Sequence, residues 1–180
     1  MEKETEKIFN RNVVEFVTVA AEFCKFMEQA EGMKREAFVE TTLKLLPLLY
    51  LKAQLLPPLE VTDEEELEHY VTEEVYEVLR LSLAEVMADA DDYLDVFVQE
   101  MVYSDQPIKR SIAEDLADLY QAVKDFVFVF RLGFDQTMHE AAARCREQFG
   151  EYWGQTLVNT LRALHEVRYS RKETPSYDPI

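Results

Sequence analysis

Two short runs of carboxylates are the residues with the most chemistry in this chain. Glu73-Glu74-Val-Tyr-Glu77 and Glu114-Asp115-Leu-Ala-Asp118 each set acids three or four positions apart, which is one face of a helix. Two such faces opposed across a bundle would gather Glu74, Glu77, Asp115 and Asp118 around Mg²⁺. Hard divalent cations prefer carboxylate oxygen, and a held Mg²⁺ could polarise a phosphoanhydride for hydrolysis. A structural use competes for the same residues. Ser111-Ile-Ala-Glu114 reads as a capping box, and acids in a first helical turn complement the helix dipole.

The acidic pair is similar to the E-x-x-E then E-x-x-D signature of the all-α nucleoside triphosphate pyrophosphohydrolases. That resemblance implies a Mg²⁺-dependent hydrolase. The chain departs from the pattern in the longer spacing between the motifs and in Asp115 standing where the family has Glu. Glu114 is also claimed by the cap.

Other clusters are weaker. Read as a calcium loop from Asp89, the run Asp89, Asp91, Asp92, Asp95 has acids at positions 1, 3 and 7, with Glu100 at position 12. Leu94 sits where the turn glycine must be, and Tyr93 replaces an oxygen ligand. Glu85, Asp89 and Asp92 therefore read as the solvated stripe of a helix. His69, His139 and His165 have no zinc spacing. Arg162, His165 and Arg168, with Tyr169 and Arg171, form a basic patch in the last helix that would suit an anion or an acidic partner. Cations near a helix C-terminus also serve the dipole. No glycine-rich phosphate loop, nucleophile elbow or Cys–His pattern is present. Trp153 reads as a core anchor with its indole N–H bonded locally.

The chain carries a net charge of −17 over 180 residues. Residues 1–100 hold 24 acids against 9 bases, and residues 101–180 hold 12 against 10. Such a surface repels nucleic-acid phosphate and anionic lipid and favours basic partners. No secretory signal and no membrane-length apolar run is legible. Cys24 and Cys145 read as buried free thiols of a reducing, cytoplasmic compartment.

Only 4 glycines and 6 prolines punctuate the chain, so long helices are expected between them. The first runs from about Asn10 to Ala30. The second runs from about Arg35 to Leu56 and is apolar almost all round, so we expect it at the centre of the bundle with Leu48 and Leu49 both buried. Thr62–Glu65 reads as a capping box in an acidic connector. A third helix follows Thr72, with Val75, Val78, Leu79, Leu83 and Val86 inward, and continues or re-forms through residues 89–102. The fourth opens at Ser111. The fifth covers Asp135 to about Arg171, with a break at Gly150 or Gly154. The expected fold is all-α, one domain over 1–180, a bundle of six or seven helices counting short ones and no sheet. The ends, about 1–7 and 172–180, are expected to fray.

Three segments carry a second resemblance: NRNVVEFVTVAAEFCKFME near the start, SIAEDLADLYQ (Ser111–Gln121) and YWGQTLVNTLRALH (Tyr152–His165). Together they resemble a bacterial domain-of-unknown-function family, number five thousand and sixty-three. The resemblance implies a compact helical fold in a bacterial cytosolic protein and supplies no catalytic residue. The reading that results is an accessory or interaction module without a cofactor. Its partner is an unknown protein, with no nucleic acid and no membrane, and it is a monomer with a dimer as the alternative. The Mg²⁺ hydrolase is the competing enzyme reading, and an acidic decoy of a nucleic-acid-binding protein is a third.

Overall fold

The computed structural model describes residues 9–62, 67–95 and 107–170. Six α-helical segments account for most of them: α1 (Arg11–Glu28), α2 (Arg35–Gln54), α3 (Glu73–Met87), α4 (Ile112–Arg131), α5 (Asp135–Gln148) and α6 (Gly154–Tyr169). The all-α expectation holds. Because α5 and α6 are fused, the described residues form five continuous helical rods rather than six or seven helices. The caps are those the sequence offers. Asn10 accepts from Asn12 N–H at 2.8 Å, Thr72 from Val75 N–H at 3.3 Å and Ser111 from Glu114 N–H at 3.1 Å. Gly32 and Gly133 follow α1 and α4 with φ of 73° and 76°, a conformation that costs any other residue strain. The Thr62–Glu65 capping box reaches outside the described residues.

The fusion of α5 to α6 replaces the expected break at Gly150 or Gly154. Residues Phe149–Trp153 form a π turn, and Gly154 N–H bonds to the Phe149 carbonyl. A Cβ on Gly154 would overlap that carbonyl oxygen, so glycine lets the wider turn form without ending the rod. The turn aims Trp153 into the core. Its indole N–H donates to the Cys145 carbonyl at 3.0 Å, and its ring lies 4.6 Å from Phe149 and 6.4 Å from Phe16.

The centre of the bundle is α4, which corrects the assignment of that place to α2. Eleven of its 20 residues are buried, and it packs against α1, α3, α5 and α6. In α2 only six of 20 are buried. Leu46 and Leu49 are fully buried, whereas Leu48, Leu51 and Leu55 are 40%, 52% and 43% exposed. An apolar run fixes only that a helix has no wet face of its own. Which helix is surrounded depends on how many neighbours the topology supplies. The inward set of α3 also needs correcting: Leu79, Leu83 and Val86 are buried, but Val75 and Val78 are exposed.

The helix expected through residues 89–95 is absent. Ala88 ends α3 at φ 49°, and a 3₁₀ turn (Ala88–Ala90) leads into β1 (Asp92–Leu94). This strand pairs antiparallel with β2 (Lys109–Ser111) in the register Asp92↔Ser111, Tyr93↔Arg110 and Leu94↔Lys109. Three-residue strands fall short of the usual five or six or so, but they correct the expectation of no sheet. Clustered aspartates weaken the helix, and the ribbon delivers Tyr93 and Arg110 to the start of α4. The expected helical residues 96–102 lie outside the described residues, as do the frayed ends 1–7 and 172–180.

Candidate functional site

Asp115 and Asp118 lie on α4, and each becomes the hub of a hydrogen-bond network. The Asp115 side chain is 2% exposed. It accepts from the Tyr93 hydroxyl and from the Arg110 guanidinium at 2.7 Å, with the Thr160 hydroxyl at 3.4 Å. Asp118 accepts the Tyr76 hydroxyl of α3 on one oxygen and the Tyr152 hydroxyl of the π turn on the other, both at 2.7 Å. One pair of acids on one helix thus ties together α3, the ribbon, the π turn and α6.

The rest of the expected metal set does not join them. Glu74 points to solvent, and Glu77 is held at 2.9 Å by Arg80. Among the described residues no group of three or more His, Cys, Asp or Glu could hold a metal ion. Burial pushes the Asp115 carboxyl above the usual aspartate range, against the pull of Tyr93 and Arg110. Burial, then the bond to Asp118, pushes the Tyr152 hydroxyl up to about 12, so at neutral pH it donates.

The aspartates read against a calcium loop are dispersed among separate structural contacts. Asp89 pairs with Arg35 at 2.5 Å and Asp92 with Lys109 at 2.6 Å. Asp91 caps α4 from the ribbon side, accepting from the Ser111 hydroxyl at 2.6 Å and from Ala113 N–H at 2.7 Å. Asp95 is buried with Arg110 at 3.8 Å. Glu85, Asp89 and Asp92 are all exposed, as the solvated stripe required, but only Glu85 lies on an α-helix. Glu100 lies outside the described residues.

The basic patch is spread over two settings. Arg162 donates to the Leu94 carbonyl at 2.7 Å and covers the Tyr93 ring. The His165 ring lies tilted against Tyr169 at 4.6 Å, and Arg168 lies 5.6 Å from the same ring. Arg162, Arg168 and Arg35 line a groove of about 750 Å³ that also carries Glu36, Asp89, Asp92 and Glu166. Four acids against three arginines give that groove no excess charge for an anion. Arg171 lies outside the described residues.

A second cleft, of about 530 Å³, opens between α4 and α5 beside Asp118, Gln121, Asp125, Arg144 and Tyr152. Its size is within the range of small-molecule sites. Of its three acids, Glu68, Asp118 and Asp125, the two aspartates are bonded within the chain, whereas Glu140 of α5 lies outside its lining. Asp125 accepts Tyr70 N–H at 2.8 Å and Val71 N–H at 2.9 Å and holds His69 Nδ1 at 2.8 Å. Glu140 is 3% exposed and accepts Thr62 N–H at 3.0 Å, the Thr62 hydroxyl at 3.1 Å and Arg144 Nε at 3.0 Å. The two acids clamp the connector between α2 and α3, Glu140 near its middle at Thr62 and Asp125 near its end at Tyr70 and Val71. Sequence reading missed them. The available signal was position, since Glu140 directly precedes three small buried residues on α5, Ala141, Ala142 and Ala143. Cys24 and Cys145 are buried free thiols as expected, and burial pushes Cys24 up to about 12, which suppresses the reactive thiolate.

The Glu140 clamp makes stability depend on acid. Burial alone would raise this carboxyl, but its bonds from Thr62 and Arg144 hold it below the usual glutamate range. A lowered folded value contributes stability that is present above the unfolded value of about 4.3 and is lost as pH falls through the folded value. Urea midpoints at pH 7 and pH 3.5 are expected to differ less in Glu140→Gln than in the wild type. An equal drop in both would remove Glu140 from the acid transition.

The fold and site define an all-α bundle whose inner carboxylates act as struts between helices. The chain belongs to the family described as Domain of unknown function (DUF5063), which matches residues 7–170, as the resemblance of its motifs implied. It is similar to the solved protein BF1032 of Bacteroides fragilis: 57% identity, a TM-score of 0.83, and coverage of 93% of this chain and 98% of that one. No curated protein matches the chain. Among the described residues no helix is long and apolar enough to cross a membrane.

Proposed function

We propose that the protein is a non-catalytic interaction module that takes a basic amphipathic helix of another protein along α3. The observation that carries this reading is the solvent side of that helix. Glu74, Val78, Leu81 and Glu85 follow one another at steps of four, three and four, the spacing of a helix-pairing seam. Val78 and Leu81 are 65% and 57% exposed. Neither flanking glutamate is ion-paired among the described residues, and α3 carries four acids against one base, Arg80, which Glu77 already holds. An apolar centre between unpaired acids suits a helix with a matching apolar row flanked by Lys or Arg. A second copy of α3 would set like charges against each other. Two buried free thiols support a reducing, cytosolic setting. The enzyme reading loses its geometric support, because its four carboxylates do not converge.

The test is fluorescence anisotropy with two labelled model helices that share one leucine row, one flanked by Lys and the other by Glu. The expected result is salt-sensitive binding of the Lys peptide alone, lost in the charge-neutral double variant Val78→Ser, Leu81→Ser. Binding that survives this variant would be only the general pull of an acidic protein and would sink the proposal.

A further inference from the structure

The outer face of α2 is a second unpartnered surface with a different chemistry. Ala37, Thr41, Lys44, Leu48, Leu51 and Leu55 succeed one another at steps of four and three along the whole helix. The three leucines in the C-terminal half are 40%, 52% and 43% exposed, and α1 and α6 pack on the other sides of the helix. From this we infer that α2 is the contact face for a second copy of this chain, packed antiparallel about a two-fold axis beside Leu51.

Charge selects this occupant. Bringing together two copies of a chain at −17 is opposed nearly everywhere on its surface. On α2, three bases stand against two acids, so this helix is not acidic, in contrast to α3. The charges that border the leucines are already neutralised within the chain: Lys44 by Glu40 at 3.0 Å, and Lys52 by Glu15 at 2.6 Å. Neither pair asks for a charged partner, and neither repels its own image. A basic helix would meet no unpaired acid here, and an acidic one would have to displace a formed pair. A two-fold contact needs a surface that complements itself, and a leucine row between compensated pairs meets that condition. The antiparallel arrangement seats Leu48 of one copy on Leu55 of the other and closes the row.

The experiment is sedimentation velocity of the full chain from low to high micromolar concentration. The wild type is expected to pass from monomer to dimer across this range. Leu51→Glu is expected to weaken association roughly a hundredfold or more by burying a charge at the axis. Because Leu51 is half exposed in the monomer, its circular-dichroism melt should stay close to that of wild type. Leu51→Lys should be monomeric for the same reason, and an equimolar mixture of the two variants should associate again. A wild type that stays monomeric throughout, a dimer that survives Leu51→Glu, or a mixture that does not re-associate would each overturn the assignment.

Discussion

Replacing Asp115 by Ala is expected to cost about 3–5 kcal/mol of folding stability, read as the shift in the urea midpoint at constant slope. The lost carboxylate is one of the few buried acids among the described residues, and its partners come from three separate parts of the chain. Without it the Tyr93 hydroxyl has no acceptor inside the bundle, and Arg110 loses the carboxylate that holds it against the start of α4. A buried donor left unsatisfied costs about 1–3 kcal/mol by itself, and a broken charged bond adds to that. Asp115→Asn keeps one carbonyl oxygen in place and is expected to lose less, about 1–2 kcal/mol. Arg110→Ala offers a check through the sign of its pH dependence. Burial already raises the Asp115 carboxyl, and removing the guanidinium raises it further. A raised folded carboxyl contributes stability that is present below the unfolded value of about 3.9 and is lost as pH rises through the folded value. The deficit of Arg110→Ala relative to wild type should therefore be larger at pH 7 than at pH 4. A deficit independent of pH would show that Arg110 acts through packing alone.

The second large effect is at Leu49, and its value lies in the contrast with its neighbour. Leu49 is fully buried in the contact of α2 with the rest of the bundle, while Leu48 is 40% exposed on the outer row. Leu49→Ala removes three carbons from a close-packed interior and is expected to cost about 2–5 kcal/mol. Leu48→Ala leaves no cavity in one chain and is expected to cost within about 0.5 kcal/mol at concentrations where the chain is monomeric. Denaturant titration of both variants, at low and high protein concentration, separates the two roles. Leu49→Ala should be unstable at both. Leu48→Ala should differ from wild type only where a second copy is bound. Equal losses at low concentration would mean that α2 is enclosed on both sides within one chain.

Much of the local structure was legible because it depends on near neighbours in the chain. Thr72 and Ser111 cap α3 and α4, since a side-chain oxygen needs to reach only three residues along. Phe16, Ala20, Phe23 and Met27 of α1 recur at the helical period and are buried together, since they share one face whatever they pack against. Gly133 ended α4 because its φ of 76° is a local property. The all-α class follows from the same signals, and so did the reading of Trp153 as a bonded core anchor.

Three-dimensional proximity decided the rest. Whether Asp115 faces a metal or Arg110 depends on a ribbon that forms only after Ala88 ends α3 and residues 92–94 find residues 109–111. Acids at i and i+3 share a helix face in either case, so spacing could not separate a ligand from a strut. Glu140 and Asp125 bind backbone groups 78 and 55 residues away, a distance that no local pattern encodes. The leucines of α2 specify a helix without a polar side, but they do not specify whether other helices or a second copy covers it. Composition and periodicity determined the class of fold and the sign of the charge. Only the packing around α4 determined which acids became internal and which apolar rows stayed in solvent.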